Sequence, residues 1–226
     1  MNFTGLEISC DGRLISLIPM WKGKDNVFSP LGDPDLFDHR GFICFPGFEM
    51  PVCLKLIEWL RGRAFKFGPL PSENILYMTF LDAAKRSNLR LIEEVDDVSP
   101  GIVLPATFTK FLSNLPAKER HELRRKMRGI SEGFSIQTVE NDSDPKFFQK
   151  MIDLFIVLLR ESSLKKEAFL THQRESFFKT LAKGLADEGS LIVDIIFSGN
   201  SSIAGLFGFV HGKTYFLYNS GLNQKF

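Results

Sequence analysis

The order of segments predicts an α/β chain, with helices covering a mixed α+β sheet in each of two units. Three observations carry this. Short β-type runs meet across turn signals near both ends of the chain. Between them, apolar residues recur at helical spacing. The charge balance then changes near Pro105: residues 1–104 hold 11 basic and 14 acidic side chains, residues 105–226 hold 17 and 13. Together with the Ser99-Pro100-Gly101 turn signal, that change sets a boundary, giving units 1–104 and 105–226.

In the first unit, Gly5–Ser9 and Arg13–Met20 read as strands joined through Cys10-Asp11-Gly12, since Asp-Gly between apolar runs is a strong hairpin signal. A turn-rich stretch follows around Asn26–Asp38, punctuated by Pro30, Gly32 and Pro34. Val52, Leu56, Ile57 and Leu60 predict a helix over Met50–Phe67. A second helix is expected over Ser72–Ser87 with Ser72 as its cap. Leu89–Val95 and Gly101–Leu104 read as short strands.

Past the boundary, Thr107–Gly133 reads as helical with a break at Pro116, and Leu123, Met127 and Ile130 form an apolar stripe. Gly133 suits a helix C-terminus. Phe134–Glu140 alternates like a strand. Asp144–Arg160 and Thr171–Glu188 are the two long helices, rich in Phe. The chain holds 23 Phe against 3 Tyr and 2 Trp. Phe fills a core without needing a hydrogen-bond partner, so core packing is the expected role. Ser190–Phe197, Ile203–Val210 and Thr214–Tyr218 close the sequence as a three-strand meander, with turns at Ser198-Gly199-Asn200 and His211-Gly212-Lys213. The hairpin at residues 6–15 and the one at 194–203 share a rhythm, a faint sign of duplication.

Composition excludes several classes. With 44% apolar and 24% charged residues and a net charge of +1, the chain is neither disordered nor globally attracted to polyanions. Cys10, Cys44 and Cys53 form no close pair, and the four histidines lack ligand spacing, so neither a disulfide framework nor a metal site is expected. No segment has the apolar length of a membrane span. The first twenty residues lack a basic-then-apolar signal, which makes the cytoplasm the expected location.

Catalytic patterns are sparse, with no GxSxG, Walker loop or GxGxxG. Asp33, Asp35, Asp38 and His39 read as turn formers. Lys118–Arg128 carries six basic residues among eleven. Glu119 and Glu122 lie at helical pairing distance from its arginines, and no aromatic residue is interleaved for base stacking. The expectation is a solvated helix face and no nucleic-acid partner. The sequons at Asn141-Asp142-Ser143 and Asn200-Ser201-Ser202 carry no weight without a secretion signal.

One resemblance spans nearly the whole chain. Residues 109–115 and 120–128 resemble the opening of FemAB/CelD-like acyltransferases, proteins of the GNAT superfamily with two tandem GNAT-like domains. Gly189–Val193, Ser202–Phe209 and Thr214–Gly221 are similar to that family's later strands. Upstream, Arg13–Pro19 and Ser29–Asp33 resemble elements of its first domain. The resemblance implies a GNAT-like fold. On that plan, residues 1–104 are the C-terminal part of a first unit and residues 105–226 the N-terminal part of a second. The chain then looks partial, lacking the "pG..l" segment that the family has beyond Gln224.

The same resemblance implies an N-acyltransferase, with acetyl-CoA or another acyl-CoA as donor. The acceptor is a small-molecule amine or an amine of a sugar, peptide or cell-envelope precursor. Backbone N–H groups of Leu217, Tyr218, Asn219 and Ser220 are expected to meet the thioester carbonyl. Tyr218 is the candidate proton donor to the leaving thiolate, beside the plainer reading of a core tyrosine. His211 is a base by chemical type only, and its turn position makes an exposed histidine the expectation. Two alternatives stand beside this. One is an aminoacyl-tRNA-dependent peptidyl transferase of FemAB type. The other is a non-catalytic GNAT-like binding module that self-associates through its last strand.

Overall fold

A computed structural model of the chain describes residues 2–130, 133–140 and 144–225. The Asn141-Asp142-Ser143 sequon lies outside the described residues. The chain divides into two compact units, Met1–Ile102 and Val103–Phe226.

The first unit begins with the hairpin β1 (Asn2–Cys10) and β2 (Arg13–Lys22). Its two-residue turn puts Asp11 at φ 48° and Gly12 at φ 76°. Both are left-handed, as needed for a turn whose twist matches that of the strands. β3 (Val27–Pro30) and β4 (Ile43–Cys44) also pair with β2, and β5 (Ala64–Phe65) runs parallel to β3. Ile18 and Met20 of β2 face a core shared with Val52, Cys53 and Leu56 of α1 (Glu49–Trp59) and with Phe80, Ala83 and Ala84 of α2 (Ile75–Arg86). Burial pushes the Cys53 thiol up to about 12, so that thiol is inert at neutral pH.

Several local expectations give way here. The helix predicted to reach Phe67 stops at Trp59. Gly62 at φ 74° turns the chain, and Ala64–Phe65 join β3 as a strand instead. The cap of α2 is Asn74, whose Oδ1 accepts from the N–H groups of Leu76 and Tyr77 at 2.9 and 3.3 Å. Ser72 instead donates to the Glu73 carboxylate. Leu89–Val95 and Gly101–Leu104 are not strands. Val95 and Val103 are 89% and 93% exposed. β-propensity describes fit to a pleated, half-buried surface, and these residues have none in the described structure.

The Asp-rich turn is a scaffold, as its residue types suggest: Asp33 Oδ1 accepts from the Asp35 N–H at 3.0 Å. Arg40 is buried there and donates to the carbonyls of Gly32 and Gly68 at 3.0 and 2.9 Å, tying two loops together.

In the second unit, α3 (Phe108–Asn114) is capped by Thr107 and separated by Pro116 from α4 (Ala117–Ile130). Of the stripe expected on α4, Leu123 is half-buried and Met127 is 42% exposed. β6 (Phe134–Val139), β7 (Leu191–Ser198), β8 (Ser201–His211) and β9 (Thr214–Leu222) form an antiparallel sheet in that order. α5 (Pro145–Glu161) starts at an Asp144 cap and lies across β7, β8 and β9. Two features of this unit go beyond the predicted elements: α6 (Leu164–Phe169), and the extension of β9 four residues past Tyr218. α6 has six residues, none of them fully buried, and shows no apolar period. After it comes α7 (His172–Asp187).

Phe is the packing material of this unit. Phe155 of α5, Phe178 of α7 and Phe207 of β8 are fully buried, with ring centroids 5.3–6.0 Å apart. Arg160 and Lys179 bridge α5 and α7 outside that core. Arg160 pairs with Glu175 at 2.7 Å, and Lys179 pairs with Asp153 and Glu175 at 3.1 and 3.2 Å. Those bonds, led by the one from Lys179, hold the Glu175 carboxyl below its usual range.

Candidate functional site

β9 is the edge strand of its sheet, and its ladder with β8 slips by one residue at its centre. Phe207 stands opposite Asn219 while Gly208 stands opposite Leu217, which makes Tyr218 the inserted residue of a bulge. Bulges re-aim side chains and interrupt pairing, and they concentrate beside active sites. This one falls within the four residues expected to carry the site.

Two devices hold β9 at a fixed height. At Gly221 the strand lies directly on α5: an added Cβ would sit 2.5 Å from the Leu159 nitrogen and 2.6 Å from the Leu158 carbonyl carbon. One residue on, the Leu222 N–H donates to Ser162 Oγ at 2.6 Å, and that hydroxyl donates to the Leu158 carbonyl at 2.8 Å. The Gln224 side chain then donates to the Ser162 carbonyl. Past this clamp lies a cavity of about 230 Å³, lined by Arg160, Glu161, Ser163, Leu164, Glu167 and Gln224.

The expected residues split by environment. The Tyr218 ring is half-buried, 5.8, 6.1 and 6.4 Å from the rings of Phe178, Phe207 and Phe209. Leu217 and Ser220 are exposed, and Asn219 is half-buried. Asn219 Oδ1 accepts two hydrogen bonds, from Lys166 Nζ at 2.6 Å and from the Ser220 N–H at 3.0 Å. His211 is exposed at the β8–β9 turn opposite Thr214, apart from this group.

Lys166 is the residue that sequence reasoning missed. Its backbone N–H is held by the Ser163 cap of α6 at 3.1 Å, and its side chain crosses to β9. Burial lowers its pKa. Nζ also lies 5.6 Å from the centre of the Phe169 ring, and the Arg174 guanidinium sits 4.5 Å from that same ring. The only local signal was a serine three residues before a lysine, too common to single out.

The antiparallel sheet β6-β7-β8-β9, with α5 across it and a bulged last strand, gives the second unit a GNAT-like fold. Residues 117–226 match the acetyltransferase (GNAT) domain family. No curated protein matches the chain. The GNAT match begins at the first residue of α4 and runs through β9, so the bulge, the α5 clamp and Lys166 all lie within it. Among the described residues, no group of three or more His, Cys, Asp or Glu could hold a metal ion. No helix among them is long and apolar enough to cross a membrane.

Proposed function

We propose that the GNAT-like unit is an N-acyltransferase that takes an acyl thioester along β9. The bulge at Tyr218, inside the GNAT match, is the observation that carries this reading. In the reaction the acceptor nitrogen attacks the thioester carbonyl, the C–S bond breaks, the thiolate leaves, and the ammonium so formed loses a proton. Negative charge develops on the carbonyl oxygen, where a main-chain N–H among residues 217–219 stabilises it; the Ser220 N–H is held by Asn219 Oδ1. Tyr218 is the residue assigned to protonate the thiolate.

The donor is acetyl-CoA or another acyl-CoA, and the acceptor is an amine of a small molecule, sugar, peptide or cell-envelope precursor, met in the cytoplasm. The finer assignment is to the FemAB/CelD-like group, with residues 1–104 and 105–226 belonging to tandem units of that kind. Within that group an aminoacyl-tRNA donor is the variant form.

Ligand that binds only the native state stabilises it by about 2.7 kcal/mol at a hundred times its Kd. Acetyl-CoA is therefore expected to raise the melting temperature of the chain in a saturable manner. Release of free thiol in the presence of an amine panel would report turnover. A flat melting temperature up to millimolar acetyl-CoA would sink the acyl-CoA reading.

A second reading rests on the exposed side of β9. Tyr215, Phe216 and Leu217 are 41%, 43% and 55% exposed on an edge strand, a feature that proteins usually cover. A binding module that pairs copies through β9 would sediment as a dimer, and Leu217→Lys would return it to monomer. A monomer at high micromolar concentration removes this alternative.

A further inference from the structure

Two hydrogen-bond donors converge on one oxygen in the candidate site. Lys166 Nζ and the Ser220 N–H both point at Asn219 Oδ1, at 2.6 and 3.0 Å. The oxygen belongs to a neutral amide on the site strand itself, and one of its donors carries a full charge. Lys166 is half-buried, yet among the described residues no carboxylate pairs with it. Its neighbour Glu167 faces the cavity beside Gln224 instead. A partly desolvated ammonium whose partners among the described residues are a neutral amide oxygen and the Phe169 ring lacks the counter-charge that usually compensates such burial.

We propose that Lys166 Nζ and the Ser220 N–H form an anion subsite, closed in this structure by the Asn219 side chain, for a carboxylate or phosphate oxygen of the substrate. The Asn219 amide oxygen stands where that oxygen binds. Rotation of Asn219 about its side-chain bonds exchanges one acceptor for another and leaves neither donor unsatisfied. The charged ligand gains because an ammonium bonds an anionic oxygen more strongly than an amide oxygen. The site thus selects a charged substrate over its neutral analogue, and this rests on the N-acyltransferase reading above.

Calorimetric titration of the full chain with matched pairs tests it. The acceptor pairs are alanine against alaninamide and glucosamine 6-phosphate against glucosamine. The donor pair is acetyl-CoA against S-acetylpantetheine, which has the same thioester without phosphate. At least one charged member is expected to bind about tenfold more tightly than its partner, the scale of a hydrogen bond to a charged group. Lys166→Met, which keeps the aliphatic stem, is expected to erase that preference, and Lys166→Arg to retain it within about threefold. Asn219→Ala is expected to strengthen it, because the competing oxygen is gone. A role for Lys166 as a mere tether to β9 predicts the opposite for Asn219→Ala.

A preference confined to the thioester pair assigns the anion to the donor, and one confined to an amine pair assigns it to the acceptor. The proposal fails if no pair shows a preference, or if the preference survives Lys166→Met. Absence of binding by both thioesters, with a Lys166-dependent preference among the amines, would instead overturn the acyl-thioester reading and leave the anion subsite standing. Unliganded melting curves confirm that each variant is folded.

Discussion

Phe155→Ala is expected to destabilise residues 103–226 by about 3–5 kcal/mol, the usual cost of deleting a buried aromatic ring. Phe155 is fully buried and its ring meets Phe178 of α7 and Phe207 of β8, so it joins both layers of the unit. The cavity left behind would lie between elements that are each pinned elsewhere, which limits collapse. The ion pairs from Arg160 and Lys179 hold α5 against α7, and the Ser162 hydroxyl holds α5 to β9. Such a loss approaches the whole stability of a typical domain. Urea unfolding followed by near-ultraviolet circular dichroism would report it. Phe108→Ala is the control, because Phe108 is 50% exposed and its removal is expected to cost under about 1 kcal/mol. Equal effects at the two positions would contradict the assignment of Phe155 to the core.

Gly221→Ala should have the second-largest effect, and it reaches the site as well as the fold. The added methyl would lie 2.5 Å from the Leu159 nitrogen and 2.6 Å from the Leu158 carbonyl carbon, both backbone atoms in the last turns of α5. A helix backbone cannot swing aside as a side chain can, so β9 must lift. Overpacking of this kind costs about 1–3 kcal/mol. Lifting β9 also strains the Leu222–Ser162 bond and moves Asn219 relative to Lys166. Acetyl-CoA affinity is therefore expected to fall together with the melting temperature. Gly205→Ala offers a comparison, since the nearest atoms to its methyl would be side-chain carbons of Ile195, Phe155 and Leu158 at 3.0–3.3 Å, not backbone. A smaller loss of stability is expected there, with acetyl-CoA binding retained. Wild-type stability in Gly221→Ala would show that β9 does not rest on α5.

Much of this architecture was legible in one dimension. The Asp11-Gly12 turn, the helix beginning at Asp144, the glycine turns of the meander and the family-like segments through residue 221 all announce themselves locally. They do so because caps, tight turns and helical periodicity are properties of a few adjacent residues. Long-range pairing was less readable. Ala64–Phe65 looked helical until β3 offered a ladder, and Leu89–Val95 looked like a strand that has no ladder to join. Local preference proposed a conformation in each case, and the presence or absence of a neighbour decided it.

The candidate site divides along the same line. By itself the sequence determined the α/β class, which follows from pattern, while the strand expected to carry the site and the four residues proposed on it are what the family resemblance implies. Only the tertiary structure decided that Tyr218 is the bulge residue, that Gly221 rests on α5, and that Lys166 reaches Asn219. Lys166 and Asn219 are 53 residues apart. A hydrogen bond across that distance depends on where a six-residue helix and an edge strand come to lie around a shared core, which no local pattern encodes.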